Sequence, residues 1–303
     1  MNKEVQKPND RDISTAPYGS WASPVSGDLL SSQSLGFSDL QFSDGALFWR
    51  EHRPKEGGRF ALMRFSEEEG VAEVGAPSFS AKTRVHEYGG RAVLAAAGGV
   101  IASSGDDDQL YRVSPENPSA PLTAIGGLRF ADFIEDSYRH RIIAVREDHR
   151  EEGEPKNTIS MIALDDPSAD DNQHVLIEGA DFYAYPSLSP DGKKIAWVSW
   201  DHPNMPWDNT SLWVGDLDEK GEVTNRRELN DGIGDSILQP KWLDNETLYF
   251  ITDRTGWWNI HVWKNGEVRL VHERNADFGF PLWWVGERHY DFLPGGDIVT
   301  RYI

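Results

Sequence analysis

The segment Tyr185-Pro186-Ser187-Leu188-Ser189-Pro190-Asp191-Gly192-Lys193-Lys194-Ile195-Ala196-Trp197-Val198-Ser199-Trp200 recurs downstream with altered residues in matching places. Gln239-Pro240-Lys241-Trp242 leads through Asp244-Asn245 into Leu248-Tyr249-Phe250-Ile251-Thr252-Asp253, and a weaker third copy opens at Phe280-Pro281-Leu282-Trp283-Trp284. That third copy continues through Tyr290-Asp291-Phe292-Leu293 to a Gly295-Gly296-Asp297 turn. The three prolines lie 54 and 41 residues apart, a period that predicts repeated four-stranded sheets arranged radially, a β-propeller.

Composition agrees with an all-β chain. Twelve tryptophans among 303 residues supply the large flat side chains that stacked sheets accommodate. A formal charge of −20 argues against nucleic acid or an anionic membrane surface, both of which need a basic stripe. With no cysteine, disulfides and Cys-based zinc sites are excluded. The polar start Met1 to Asp12 lacks the apolar run of a signal peptide, and no apolar stretch is long enough to span a bilayer. The expectation is a soluble cytoplasmic protein without metal or cofactor.

Alternation and turn residues divide the chain into blades. The first covers about 35–76, with Asp44-Gly45 as a hairpin turn; the second covers about 82–124 and the third about 129–178. In the third, Arg141 to Arg146 and Thr158 to Leu164 read as strands, and the acidic segment Glu147 to Asn157 reads as an exposed connection. Blades four and five cover about 181–231 and 236–273, and a sixth starts near Phe280. The prediction is a 1–34 extension followed by a 35–303 propeller of about five complete blades plus the start of another, an incomplete ring.

Few residues suggest chemistry. Ser189-Pro190-Asp191-Gly192-Lys193 is a hairpin, with proline presetting φ and glycine taking the left-handed conformation. Trp200 to Asp208 is a proline-stiffened loop with two tryptophans, read as folding over its own sheet or projecting toward a partner. Arg84-Val85-His86-Glu87-Tyr88-Gly89-Gly90 gathers a cation, an imidazole, a carboxylate and a phenol before a strand, a set suited to recognition or to inter-blade hydrogen bonding and poor as a metal site. Arg146-Glu147-Asp148-His149 could present a carboxylate to a substrate amine or form an exposed ion-pair cluster, and Asp253 to Asn259 reads as a turn locked by its own Asp and Arg. The acidic runs Asp106-Asp107-Asp108, Glu67-Glu68-Glu69 and Glu151-Glu152 read as solvated loops. There is no Gly-x-Ser-x-Gly elbow, His-Glu-x-x-His, Walker loop or dinucleotide fingerprint, so no catalytic residue is assigned.

Taken in order, Ala16-Pro17-Tyr18-Gly19-Ser20-Trp21 with Ser23-Pro24, Arg53-Pro54 to Arg59, Arg84 to Gly90, Arg146 to His149, Tyr185 to Trp200, His202 to Asp208 and Asp253 to Asn259 resemble the propeller of the prolyl oligopeptidase family of serine peptidases. The likeness is to its dipeptidyl-aminopeptidase or acylaminoacyl-peptidase-like branch. The resemblance implies a seven-bladed ring, a C-terminal α/β-hydrolase domain with a Ser-Asp-His triad that is absent from this chain, and a propeller that caps the active site and admits short peptides. It also implies that Arg84, His86, Glu87, Tyr88 and Glu147 meet the substrate terminus and that Tyr18 and Trp21 contact the hydrolase domain. On that reading the chain is inactive alone; the alternative is a free-standing TolB-like propeller acting as a protein-interaction module.

Overall fold

The computed structural model describes residues 15–20, 25–31, 34–96, 99–113, 118–164, 172–230 and 234–303. After a short helix, α1 (Gly27–Ser31), the described residues form five four-stranded antiparallel sheets and one two-stranded sheet, each built from consecutive strands. Blade 1 comprises β1 (Gly36–Ser43), β2 (Ala46–Arg53), β3 (Arg59–Ser66) and β4 (Gly70–Glu73). Blade 2 comprises β5 (Val93–Ala96), β6 (Gly99–Ser103), β7 (Leu110–Val113) and β8 (Pro118–Pro121). Blade 3 comprises β9 (Leu128–Asp136), β10 (Arg141–Asp148), β11 (Lys156–Ala163) and β12 (Gln173–Ile177). Blade 4 comprises β13 (Phe182–Leu188), β14 (Lys194–Trp200), β15 (Ser211–Leu217) and β16 (Val223–Glu228). Blade 5 comprises β17 (Ile237–Trp242), β18 (Thr247–Thr252), β19 (Asn259–Lys264) and β20 (Glu267–Leu270), and the last sheet pairs β21 (Tyr290–Phe292) with β22 (Ile298–Thr300).

The first strands of successive blades touch in order, β1 to β5 to β9 to β13 to β17, so they line a common axis as in a β-propeller. Burial falls outward: β10 is buried along nearly its whole length, whereas the outer strand β16 is mostly exposed. Strand β1 is the exception, with Phe37, Leu40 and Phe42 all more than two-thirds exposed. Its apolar stripe has the composition of a face that stacks on another sheet.

Meander connectivity sorts the loops by face. Turns joining first to second strands lie at one end. Loops joining second to third strands lie at the other, together with the crossings between blades. In the hairpin of blade 4, Ser189 Oγ donates to Asp191 Oδ1 (2.7 Å) and Gly192 takes φ 65°. A Cβ at Gly192 would lie 2.5 Å from the Tyr138 ring, whose hydroxyl donates to Pro190 O (2.9 Å). Glycine thus provides both the turn and the close approach of blade 3.

One repeated device joins the blades. Asp39, Asp132, Tyr185 and Gln239 each adopt a left-handed φ in a first strand, where the pairing register with the second strand shifts. These are β-bulges. Three of the four side chains reach the backbone of the next first strand or of the residue just before it. Asp39 Oδ2 accepts from Ala92 N (3.0 Å), Asp132 Oδ2 accepts from Tyr185 N (2.7 Å), and Gln239 Nε2 donates to Tyr290 O (2.7 Å). Pro186 and Pro240 follow two of these bulges, on strands with one unpaired edge, where proline is tolerated.

The structure corrects two sequence-based expectations. Pro281 lies in no strand, and the Gln239 bond shows that the repeat re-enters register at Tyr290, 51 residues on. The segment 279–289 instead runs past the start of blade 2, where Gly90 and Val285 form a parallel bridge. The segment Glu147 to Asn157 is not all exposed connection: Glu147 and Asn157 pair across β10 and β11 and are buried. Alternation cannot show this, because their polar side chains are buried by residues from another blade.

Candidate functional site

Residues 84–90 lie in the crossing from blade 1 to blade 2, on the face that also carries the loops 104–109, 149–155, 201–210 and 253–258. The segment is a tight coil. Glu87 N donates to Arg84 O (2.9 Å), Tyr88 N to His86 O (2.8 Å) and Gly89 N to Val85 O (3.0 Å). His86 and Glu87 both hold positive φ, 52° and 63°, a conformation that costs roughly 1 kcal/mol or more per non-glycine residue unless it is held from outside. A Cβ at Gly90 would fall 2.3 Å from Val285 O, so only glycine admits the crossing segment there.

The outside support is Glu147. From the end of β10, its Oε1 accepts from the His86 backbone N–H (3.0 Å), while Oε2 meets His149 Nε2 (2.7 Å) and Arg129 Nη1 (3.3 Å). Arg129 Nη1 also donates to Glu87 Oε1 (3.0 Å) and to Arg84 O (3.3 Å), and Asp108 lies 3.6 Å from its Nε. Arg84 completes the set, 4.0 Å from Asp108. The hydrogen bond and charge of Arg129 hold the Glu87 carboxyl below the usual carboxylate range. Three carboxylates, Asp108, Glu87 and Glu147, face two guanidiniums, Arg84 and Arg129, leaving a negative balance on this part of the face.

Aromatic rings flank the cluster. The His86 ring stands edge-on to Phe182 (5.2 Å) and Trp200 (5.7 Å), which stack on each other. Burial pushes its imidazole down to about 4, against the pull of Glu147 in the other direction. On the solvent side, Tyr88 packs edge-on to Trp283 (5.3 Å), and Trp283 meets Trp207 (4.6 Å). The loop Trp200 to Asp208 is tied at its start to the crossing into blade 4, with His202 N donating to Asp181 Oδ2 (2.9 Å), and is held internally by Met205 N donating to Asp208 Oδ2 (2.9 Å), while Pro206 O accepts from Ser236 Oγ (2.8 Å) at the entry to blade 5.

Of the residues singled out from sequence, Arg84, His86, Glu87 and Glu147 come together around Arg129, and Tyr88 turns toward Trp283. Arg84, Glu87 and Tyr88 are exposed, whereas the His86 ring and Glu147 lie beneath them. Glu147 is therefore not a member of an exposed ion-pair cluster; it positions the coil above it. Tyr18 sits 95% exposed in a turn, and Trp21 lies outside the described residues. The turn at Asp253 is held by Asp235, which accepts from Arg254 Nε (3.2 Å), and by Ser236 N donating to Asp253 Oδ1 (2.7 Å), not by an Asp253–Arg254 pair. Sequence reading missed Arg129 and treated Asp106 to Asp108 as solvated loop. In fact Asp107 accepts from the Tyr111 hydroxyl (2.6 Å) and Asp108 faces Arg129. The position of Arg129 at the start of a first strand, on the face of the other motifs, was the available signal.

No group of three or more His, Cys, Asp or Glu side chains is placed to hold a metal among the described residues. No helix there is long and apolar enough to cross a membrane.

No family model matches the chain. It is 30% identical over 110 residues to dipeptidyl-peptidase 5 of Porphyromonas gingivalis, a match covering 35% of this chain and 15% of that protein. A puromycin-hydrolysing peptidase of Mycobacterium tuberculosis superposes with a TM-score of 0.84 at 34% identity, over 96% of this chain and 47% of that one. Prolyl oligopeptidase B of Galerina marginata shares the fold, with a TM-score of 0.58 at 15% identity, over 82% of this chain and 40% of that one. The chain thus spans about half the length of the puromycin-hydrolysing peptidase. Its four-stranded blades, its order of motifs and these likenesses are consistent with the β-propeller part of a prolyl oligopeptidase-family peptidase.

Proposed function

We propose that this propeller gates a serine peptidase acting on short peptides and is catalytically inactive by itself. The observation that carries the reading is the cluster of Glu87, Glu147 and Asp108 around Arg129, set beside exposed Tyr88 and Trp283 on one face of the blades. A negative balance next to aromatic rings suits the free amine and first side chain of a peptide. In this reading Arg84, Glu87 and Tyr88 touch the substrate terminus, while His86 and Glu147 hold the coil that presents them. The hydrolase domain supplies the nucleophile, and Tyr18 and Trp21 contact it. The exposed stripe Phe37, Leu40 and Phe42 of β1 is where further blades stack.

The purified chain should neither cleave aminoacyl or acyl-aminoacyl chromogenic peptides nor react with a fluorophosphonate serine probe. Turnover that survives inhibitor and purity controls would contradict the assignment of catalysis to another domain.

A further inference from the structure

Three guanidiniums and two carboxylates meet on the axial side of the blades. Arg50 Nε pairs with Asp39 Oδ2 (2.9 Å) and Arg288 Nη2 with Asp132 Oδ1 (2.8 Å). Each carboxylate also accepts a backbone N–H, Asp39 from Ala92 and Asp132 from Tyr185, so both are fully engaged. Arg91 is left over. Its Nη2 donates to the neutral Gln41 Oε1 (2.6 Å), and it forms no ion pair among the described residues. It belongs to the same cluster: Gly286 is wedged so tightly that a Cβ there would lie 2.7 Å from Asp132 Oδ1 and 2.9 Å from Arg91 Cβ.

The neighbouring groups share the imbalance. The Arg288 guanidinium lies over the Tyr185 ring, 5.5 Å from its centroid, and the Tyr185 hydroxyl, in a residue 1% exposed, has no hydrogen-bond partner. Burial, and after it the Arg288 charge, pushes Arg91 down to about 10. Yet the site is not sealed, because the Arg288 side chain is about a third exposed and Arg91 is only half-buried. A cation desolvated beside a second cation, with an orphaned hydroxyl nearby, is the arrangement a bound anion would relieve.

We propose that Arg91, Arg288 and the Tyr185 hydroxyl form an anion site on the propeller axis that takes a small carboxylate or oxyanion. The site stands whether or not the chain gates a peptidase. Its ligand is either a free anion or the carboxylate end of a peptide, and the two sources share the same chemistry.

Titration of the full chain by calorimetry and thermal melting tests this, using sodium acetate, sodium phosphate, and a tripeptide as free acid and as amide, against sodium chloride at matched ionic strength. Saturable binding of acetate or phosphate with a rise in Tm is expected. Preference for the free-acid tripeptide over its amide identifies a peptide as the source, and acetate or phosphate binding without that preference identifies a free anion. Arg91→Gln should abolish the response and melt higher than wild type in anion-poor buffer, because the uncompensated charge is gone. Tyr185→Phe, which keeps the fold by removing only the orphaned hydroxyl, should weaken affinity about tenfold, and Lys220→Gln on a distant loop should bind like wild type. A wild-type response that tracks ionic strength without saturating, or variants of Arg91 and Tyr185 that titrate like wild type, would overturn the proposal.

Discussion

Asp132 is wholly buried and joins three parts of the chain, since it accepts from Tyr185 N in blade 4 and pairs with Arg288 in the crossing segment. Removing it leaves a buried N–H and a guanidinium uncompensated, so Asp132→Ala should cost about 3–5 kcal/mol in urea unfolding. Asp132→Asn, which keeps an acceptor for Tyr185 N, should cost less. Two imidazoles make a separate prediction. His86 and His289 are both pushed down to about 4, burial being the first cause of each. Above pH 6.5 neither folded nor unfolded chain protonates them. As pH falls from 6.5 toward 4 only the unfolded chain gains the protons, so stability is lost across that window, by on the order of 3 kcal/mol per histidine. The double variant His86→Gln, His289→Gln should flatten the dependence of the urea midpoint on pH between 6.5 and 4; an unchanged slope would show that these rings are not its source. Neither role was legible in the sequence. Asp132 sits in Leu128-Arg129-Phe130-Ala131-Asp132-Phe133, where an acid in an apolar strand gives no hint of partners 53 and 156 residues away.

Hairpins and bulge staples divide the work of holding the blades. The hairpins were readable because their chemistry is local: Asp-Gly at 44–45 and Ser-Pro-Asp-Gly at 189–192 specify their turns within four residues. The staples were half-readable. Tyr185-Pro186 and Gln239-Pro240 stood out as repeats, but the hydrogen bonds between successive first strands, and not the prolines, set the period. Pro281 lies in no strand, whereas Tyr290, without a left-handed φ of its own, takes the third position through its bonds to Gln239. Gln239 tests the point directly. Its Oε1 accepts from His289 N and Tyr290 N, its Nε2 donates to Tyr290 O, and Tyr290 Oη donates back to Gln239 O (2.9 Å). Gln239→Leu should therefore cost roughly 2–4 kcal/mol, as buried groups lose their partners, and should speed hydrogen exchange in 290–300 ahead of β17–β19. Uniform loss of protection across blade 5 would mean the staple is not local to the last sheet. The 84–90 coil obeys the same logic with Glu147 as its support. Its membership in a site was suggested by composition, while Asp108 sits in an acidic run that looks solvated and Arg129 is a lone cation at the start of a mostly apolar strand.

At the scale of the molecule, a chain of net charge −20 carries an exposed apolar stripe on β1 and, on one face, a cluster of carboxylates and guanidiniums beside exposed aromatic rings. The triple variant Phe37→Thr, Leu40→Thr, Phe42→Thr should leave the far-UV circular dichroism intact and reduce self-association in light scattering, because exposed first-strand rings are what a neighbouring sheet would cover. Undiminished association would place the sticky surface elsewhere. In the proposed function the 84–90 coil, held by Glu147, is the surface that faces the peptide. Hydrogen-exchange mass spectrometry of the chain with saturating short peptide, N-terminally free or acetylated, tests it most directly. Slowed exchange is expected in 84–90 and 146–149 with the free-amine peptide, weaker with the acetylated one and lost in Glu87→Gln. Protection confined to the outer strands, or equal for both peptides and unaffected by Glu87→Gln, would contradict it.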